Sequence, residues 1–397
     1  MRKFILLALL AAAVSASIVV AAIVGAKHHQ RSTSAASDPP SVAVRGLKSD
    51  LDSYGTFNER LNSNRWKRVP YSSVVIFGAS DCDDAHPRSS IYADTIRGAP
   101  YWHGRFTNGP VFGEYMAATT LTGSNITLLN YAYGDATVNN GLTKVTAPDT
   151  RMQMEMYITD VENGSAKRGD EGTGRVLHCI WIGINDMIQI WSNVIKNGTF
   201  QNNNLNGPQS GFEYASNRVQ LESRELLSQL KLIHDHPNVN KLNSDFLLML
   251  LPPLEILPNL YYQSKSLAKN EPALTNTYLT YIGNLTRLYN QVPTPPPSLF
   301  VHLEIPTDMM YTADAIRAND KNNKGYNLAY FDAPKYWYFI RKNPDAFNFT
   351  NVVDACWNST TGIDCKSPDQ WQYYDTLHPS TKMHQYLAQE ITVQVNL

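Results

Sequence analysis

The chain of 397 residues is short of charge and nearly without cysteine. Lys, Arg, Asp and Glu make up 17% of it, against about 25% in an average globular chain, and they cancel to a net charge of −1. With no basic run and a pI near 6.8, it lacks the electrostatic footprint of a nucleic-acid binder. Four cysteines, none in a His/Cys cluster of metal-ligand spacing, exclude a zinc-finger reading and give no metal or cofactor to expect. No internal repeat is present, which excludes a solenoid. No Gly/Ser/Pro-rich linker interrupts residues 70–395, so that stretch reads as one large domain.

One long apolar run stands out. Phe4 to Ala26 carries no charge, follows Arg2 and Lys3, and precedes Lys27, His28, His29 and Arg31. Small residues at Ser15-Ala16-Ser17 suit a signal peptidase, whereas the run's length suits a retained anchor. Residues 1–26 are thus a signal peptide or a signal anchor, and 27–69 a flexible, Ser/Ala/Pro-rich stalk and lead-in. Either way the expected place is secreted, or membrane-anchored with the rest of the chain on the lumenal or extracellular side. Six Asn-x-Ser/Thr sequons, at Asn125, Asn163, Asn197, Asn284, Asn348 and Asn358, are glycosylation candidates in that compartment. Cys356 and Cys365 lie close in a loop-like segment and are expected to pair there. Cys82 and Cys179 have no evident partner.

Apolar, β-branched runs at Val74–Phe77, Ile126–Ala132, Val176–Ile184, Phe246–Leu251 and Leu299–Ile305 read as five buried strands. Helical stretches lie between them, notably Gln220–Ile233 and Leu274–Tyr289. Alternating strands and helices predict a parallel sheet covered on both faces. Ser80 falls where the first strand must end, in VVIFGASDCDD, at the rim where open α/β sheets bind ligands.

Further stretches follow in order: NGPVFGEYMA (108–117), NYAYGDAT (130–137), IWIGIND (180–186), LPPLEILP (251–258) and YYDTLHPS (373–380). With the serine stretch, this series resembles the GDSL, or SGNH, esterase and lipase family, in the style of fungal carbohydrate-esterase-type acetylesterases and plant-like GDSL lipases. The resemblance spans roughly residues 70–395, about four-fifths of the chain. It implies a three-layer α/β/α, flavodoxin-like sandwich.

It also implies roles. Ser80 would be the nucleophile, His378 the base that takes its proton, and Asp375 the acceptor that fixes the imidazole tautomer. Pro379 is expected at the first position of the helix that follows. Asn185 would donate its amide to the oxyanion, with the Ser80 N–H and one from the Gly134-Asp135 turn; read from the residues alone, Asn185 and Asp186 could equally cap the next helix. His86 could sit near the cleft outside the triad, and His234 and His236 read as solvated loop residues.

Three positions depart from the family pattern. Ala79 replaces an aspartate before the serine, Asp81 stands where leucine is usual, and Asp135 replaces a second glycine. A carboxylate of Asp135 turned into the cleft would repel an oxyanion. Trp102, Trp181, Trp191 and Trp371 near these blocks could stack on sugars or be ordinary core and rim residues. The resulting expectation is a monomeric carboxylic ester hydrolase acting on short acyl esters of small molecules or polysaccharides. The alternatives are a membrane-associated lipase or phospholipase, and a catalytically inactive binding glycoprotein. Asn193–Asn217, rich in Asn, Gly, Gln and Ser, looks more like a solvated loop than a lipid lid.

Overall fold

In the computed structural model the described residues are 71–88, 92, 96–118, 126–168, 175–196, 211–239, 243–290 and 327–395. All of them fall in one compact unit, Leu47–Leu397. The other unit, Met1–Gly46, lies outside the described residues, with the expected leader and stalk. Among the described residues no helix is long and apolar enough to cross a membrane.

The first apolar run becomes β1 (Tyr71–Gly78), which pairs in parallel with β2 (Thr127–Asn130) and β3 (Arg175–Trp181). Beyond β3 come β4 (Asn243–Met249) and β5 (Asn327–Phe331), giving a five-stranded parallel sheet ordered β2-β1-β3-β4-β5. All seven residues of β3 are buried, as expected when both faces of a parallel strand are covered. The fifth described strand is not among those expected. Leu299–Ile305 lies outside the described residues, and Asn327–Phe331 takes the edge position through Phe246↔Leu328 and its neighbours. An apolar run by itself does not say which segment docks at an edge.

Helices cover both faces. On one face Trp181 meets Phe112 of α1 (Phe112–Ala117), their ring centroids 5.7 Å apart. On the other face Tyr157 of α2 (Thr150–Glu162) packs on Phe77 and donates or accepts a 3.0 Å hydrogen bond with His178. Three further helices, α3 (Ile184–Lys196), α4 (Gly211–Asp235) and α6 (Pro272–Asn290), pack against one another, and α4 also packs on α2. The short α5 (Pro258–Leu267) follows the proline-rich end of β4. Trp337 of α7 (Ala333–Lys342) joins the Trp181 face. A two-stranded parallel ribbon, β6 (Asn351–Ala355) with β7 (Trp371–Tyr373), then leads into α8 (Thr381–Val395), which packs on α1. These layers make the α/β/α sandwich. The polar insertion is helical where described, since Asn193 ends up in α3 and Gly211–Asn217 in α4, while 197–210 lies outside the described residues.

One buried charge pair ties β3 to β4. Arg175, 4% exposed, bonds the carboxylate of Asp245, 0% exposed, and its guanidinium lies 4.5 Å from the centre of the Tyr71 ring. Removing one member of such a pair strands the other's charge in the core. Asp245→Ala is therefore expected to lower stability by about 3–5 kcal/mol, read as a fall in the urea midpoint at unchanged slope. A loss below about 1 kcal/mol would mean that solvent reaches Arg175.

Candidate active site

The site forms where β1 and β3 end side by side. At Gly78 the strands come so close that a Cβ would lie 2.4 Å from the Trp181 carbonyl oxygen and 2.6 Å from Cys82 Sγ. Both backbone groups of Gly78 are held by Gln153, whose Nε2 donates to its carbonyl (3.0 Å) and whose Oε1 accepts its N–H (2.9 Å). The chain then turns, with Cys82 N–H donating to the Ala79 carbonyl at 2.9 Å, and Ser80 sits on that turn.

Asp375 and His378 come from the loop between β7 and α8. Oδ1 of Asp375 accepts the N–H groups of Leu377 and His378, each at 2.7 Å, which folds the four residues into a tight turn. Helix α8 starts at Thr381, with Ser380 Oγ accepting from Met383 N–H at 3.3 Å. Pro379 therefore lies outside the helix rather than at its first position, because Ser380 supplies the cap. Thr107 Oγ1 donates to the Pro379 carbonyl and Asn108 Oδ1 accepts from Thr381 N–H, both at 2.9 Å, so the Asn108–Ala117 stretch clamps the histidine loop.

Across 298 residues of chain, Ser80 Oγ and His378 Nε2 meet at 2.8 Å, and His378 Nδ1 lies 2.7 Å from Asp375 Oδ2. With Asp375 ionised, Nδ1 carries the proton and Nε2 accepts from the serine hydroxyl. Ser80, Asp375 and His378 are only 7%, 7% and 8% exposed. Burial pushes the His378 pKa down, but the Asp375 carboxylate and its hydrogen bond, with the charge of Asp81, push it further up, and the net shift is upward. Burial likewise raises Asp375, yet the charge and hydrogen bonds of His378 prevail and hold its carboxyl below the ordinary value.

A family model described as GDSL-like Lipase/Acylhydrolase matches residues 74–391. The chain belongs to the GDSL-like lipase/acylhydrolase family. It is accordingly a serine ester hydrolase. Among solved structures it is similar to the lipase Lip_vut3 from a goat rumen metagenome (11% identity, 81% of this chain and 96% of that one, TM-score 0.34). It is also similar to phospholipase A1 from Streptomyces albidoflavus NA297 (14% identity, 81% and 99%, TM-score 0.35). Neither likeness bears on substrate. Among curated proteins no match is found.

In this GDSL hydrolase the three expected oxyanion donors fare differently. Among the described residues the Ser80 N–H has no protein acceptor. The chain after β2 runs beside β1, with Tyr133 N–H donating to the Gly78 carbonyl at 3.2 Å, which brings the Gly134-Asp135 turn level with the serine. The N–H of Gly134 itself, however, donates to Asp83 Oδ2 at 2.7 Å. The expectation for Gly134 is thus corrected: its donor is occupied by a carboxylate that the sequence placed merely near the serine. The Asp135 N–H, by contrast, has no protein acceptor among the described residues. Asp135 adopts φ 64°, a left-handed conformation that explains why glycine suits the position. Its side chain is 63% exposed and faces Arg97 at 4.0 Å, which directs the carboxylate toward solvent and a cation. Asn185, on the first turn of α3, donates through Nδ2 to the Ala136 carbonyl at 2.9 Å, so it is fastened to the same turn and keeps a second amide hydrogen. Gly183 before it has φ 118°, where a Cβ would strike the Tyr289 ring at 2.6 Å.

Other expectations sort by environment. Cys356 and Cys365 are joined in a disulfide, and Cys82 and Cys179 are buried free thiols. Of the sequons, Asn163, Asn348 and Asn358 are exposed, whereas Asn284 lies half-buried on α6 with Oδ1 accepting from Arg287; Asn125 and Asn197 lie outside the described residues. Trp181 and Trp191 are buried core residues, which removes them as sugar platforms; Trp102 and Trp371 are half-buried. His86 is bound to Asp84, His236 pairs with Glu162, and His234 is on the last turn of α4 rather than in a loop. Asp83, Asp84 and His86 bring ligand atoms within 4.8 Å of one another. That cluster is already engaged, since Asp83 also bonds Arg88 and the Ala85 N–H.

Two features were missed from sequence. Tyr101 donates to Asp375 Oδ2 at 2.7 Å, from a loop with no motif to flag it. Next to Asn185 in sequence, Asp186 is fully buried, as is Glu222, to whose Oε1 the Thr143 hydroxyl donates at 2.9 Å. Asp186 accepts from the Val138 N–H at 3.2 Å. Burial raises the pKa of each, and the charge of Asp186 raises Glu222 further. Each acid then binds its proton more tightly folded than unfolded, so the stability it contributes is full below about pH 4 and is lost as pH rises through the raised values. The urea midpoint should accordingly decline from pH 5 to pH 9, and Glu222→Gln should flatten the decline. An equally steep decline in the variant would place the titration elsewhere.

Proposed function

We propose that the protein hydrolyses short-chain esters, acetyl esters of carbohydrates or comparable polar alcohols, through a Ser80–His378–Asp375 triad. The observation that carries this reading is the unbroken chain of hydrogen bonds from Ser80 Oγ through the His378 ring to Asp375, at 2.8 and 2.7 Å. His378 takes the serine proton as Ser80 Oγ attacks the acyl carbon. The tetrahedral oxyanion is met by the Ser80 and Asp135 N–H groups and the Asn185 amide. His378 then protonates the departing alcohol, and water repeats the cycle on the acyl-enzyme. Asp375 holds the tautomer and stabilises the imidazolium.

The polar alcohol is favoured by the rim. Arg97 and Asp135 face each other there, and Arg97 lies 4.8 Å over Phe106, the ring that packs on His378. Asn193–Asn217 offers little apolar area to shelter a fatty chain, where each buried methylene would add about 0.8 kcal/mol of binding. A secreted or membrane-tethered position belongs to the same reading, supported by the apolar run at Phe4–Ala26, the sequons and the Cys356–Cys365 bridge.

Nitrophenyl esters of rising chain length are the direct test. Efficiency should peak from acetyl to butyryl, and a rise toward palmitoyl below the micelle concentration would turn the reading to a lipase. Ser80→Ala and His378→Ala should each abolish nearly all turnover, with the double variant little worse because the pair acts as a unit. Asn185→Ala should cost about a hundred- to a thousand-fold in kcat; a change in thermal stability alone would leave Asn185 as a structural residue. Only neutral His378 can act as base, and its pKa is raised. The acid limb of kcat/KM should therefore lie above about pH 6.5, the ordinary histidine value, and a limb well below it would contradict the His378–Asp375 coupling.

A further inference from the structure

We propose that Tyr101 is a positioning residue for ester hydrolysis: its hydroxyl supplies the fourth and last hydrogen bond to the Asp375 carboxylate and thereby sets how strongly that carboxylate grips His378. The inference rests on the triad reading above. An ionised carboxylate offers about four lone-pair positions. Three at Asp375 are taken by the His378 segment itself: the N–H groups of Leu377 and His378 on Oδ1, and His378 Nδ1–H on Oδ2. Tyr101 Oη fills the remaining one on Oδ2 at 2.7 Å, from a segment 274 residues away.

The tyrosine is itself held from several sides. Its ring lies 5.7 Å from Tyr374, 5.8 Å from Trp357 and 6.4 Å from Phe106. The Tyr374 hydroxyl donates to the Pro100 carbonyl, one residue before Tyr101, at 3.2 Å. Trp357 adjoins the Cys356–Cys365 bridge, and its N–H donates to the Tyr374 carbonyl at 2.7 Å. The disulfide loop thus braces the ring that aims the hydroxyl. Burial, then the charge of Asp375, raises the Tyr101 pKa, so the group stays a neutral donor at every pH at which the enzyme works.

A neutral donor on Oδ2 draws carboxylate charge away from the imidazole. Removing it leaves a more basic Asp375, and His378 should hold its proton more tightly. Among the described residues, the charged and titratable groups around His378 are Asp375 and Asp81, which raise its pKa, Arg97, which lowers it, and His384, whose own pKa is pushed down to about 3 by burial and by His378. Burial, with the charge of Asp375, raises the Asp81 carboxyl to about 6, and the charge of His378 opposes that rise.

The test is Tyr101→Phe, which keeps the ring and deletes only the hydroxyl. We expect kcat to fall about tenfold with KM within about twofold, and the acid limb of kcat/KM to move up by about half a pH unit. Unchanged kcat and an unmoved limb, whatever the thermal stability, would overturn the proposal. Ser80→Ala is measured beside it. Retained activity there would overturn the triad reading, whereas an inactive Ser80→Ala with a silent Tyr101→Phe would overturn the Tyr101 proposal alone. Should Tyr101→Phe fail to fold, fluorotyrosine at position 101 makes the hydroxyl a stronger donor. It should move the limb down, and a limb that stays in place would again overturn the proposal.

Discussion

The close approach of β1 and β3 at Gly78 is the constraint on which the rest of the site depends. With a carbonyl oxygen 2.4 Å from where its Cβ would be, only glycine lets β1 run level with Trp181 to the end of the sheet. The register Gly78↔Trp181 then fixes how far each chain travels before leaving the core. Ser80 emerges two residues later on one strand and Asn185 four residues later on the other. The segment after β2, hydrogen-bonded to the Gly78 carbonyl, brings in the 134–136 turn. Three stretches remote in sequence are thereby level at one rim, and the strand order β2-β1-β3 makes that rim the topological switch point of the sheet.

Around this rim the chain uses buried carboxylates as fasteners. Asp83 gathers the Gly134 and Ala85 N–H groups and Arg88, Asp186 the Val138 N–H, and Asp375 two N–H groups of its own loop. A buried carboxyl costs free energy unless its oxygens are bonded, and here the bonds go to backbone that carries functional groups. Burial raises Asp83, Asp186 and Asp81, and only Asp375 is held low, because His378 faces it with a charge. Of these acids, Asp375 both fastens its own loop and bonds the His378 ring. Stability is the quantity that suffers at Asp83 and Asp186, buried acids that prefer their protons.

The sequence made much of this legible, for identifiable reasons. Parallel strands buried on both faces must be apolar throughout, so Val74–Phe77 and Val176–Ile184 announced themselves. Ser80 and Asn185 each stand just past an apolar strand, but their roles, like those of Asp375 and His378, were legible only through the resemblance of the ordered motifs to the GDSL family. The misread elements have equally local causes. Asn327–Phe331 went unnoticed because an edge position is decided by which segment finds the open side of β4. Pro379 suits a helix start, but Ser380 offers a hydroxyl to the exposed N–H groups, and that bond sets the start at Thr381, two residues further on.

Sequence by itself determined the layering, which resides in short periodicities, and pointed to the kind of chemistry through the order of its motifs and the family they resemble. Tertiary structure alone decided which donors remain free and which neighbours tune them. The Gly134 N–H is spent on Asp83, Asp135 turns its carboxylate to Arg97, and Tyr101 reaches Asp375 across 274 residues. Hydrogen bonds are short-ranged and directional, so their pairing is settled only when the sheet brings distant loops within about 3 Å of one another, and no pattern along the chain encodes that distance.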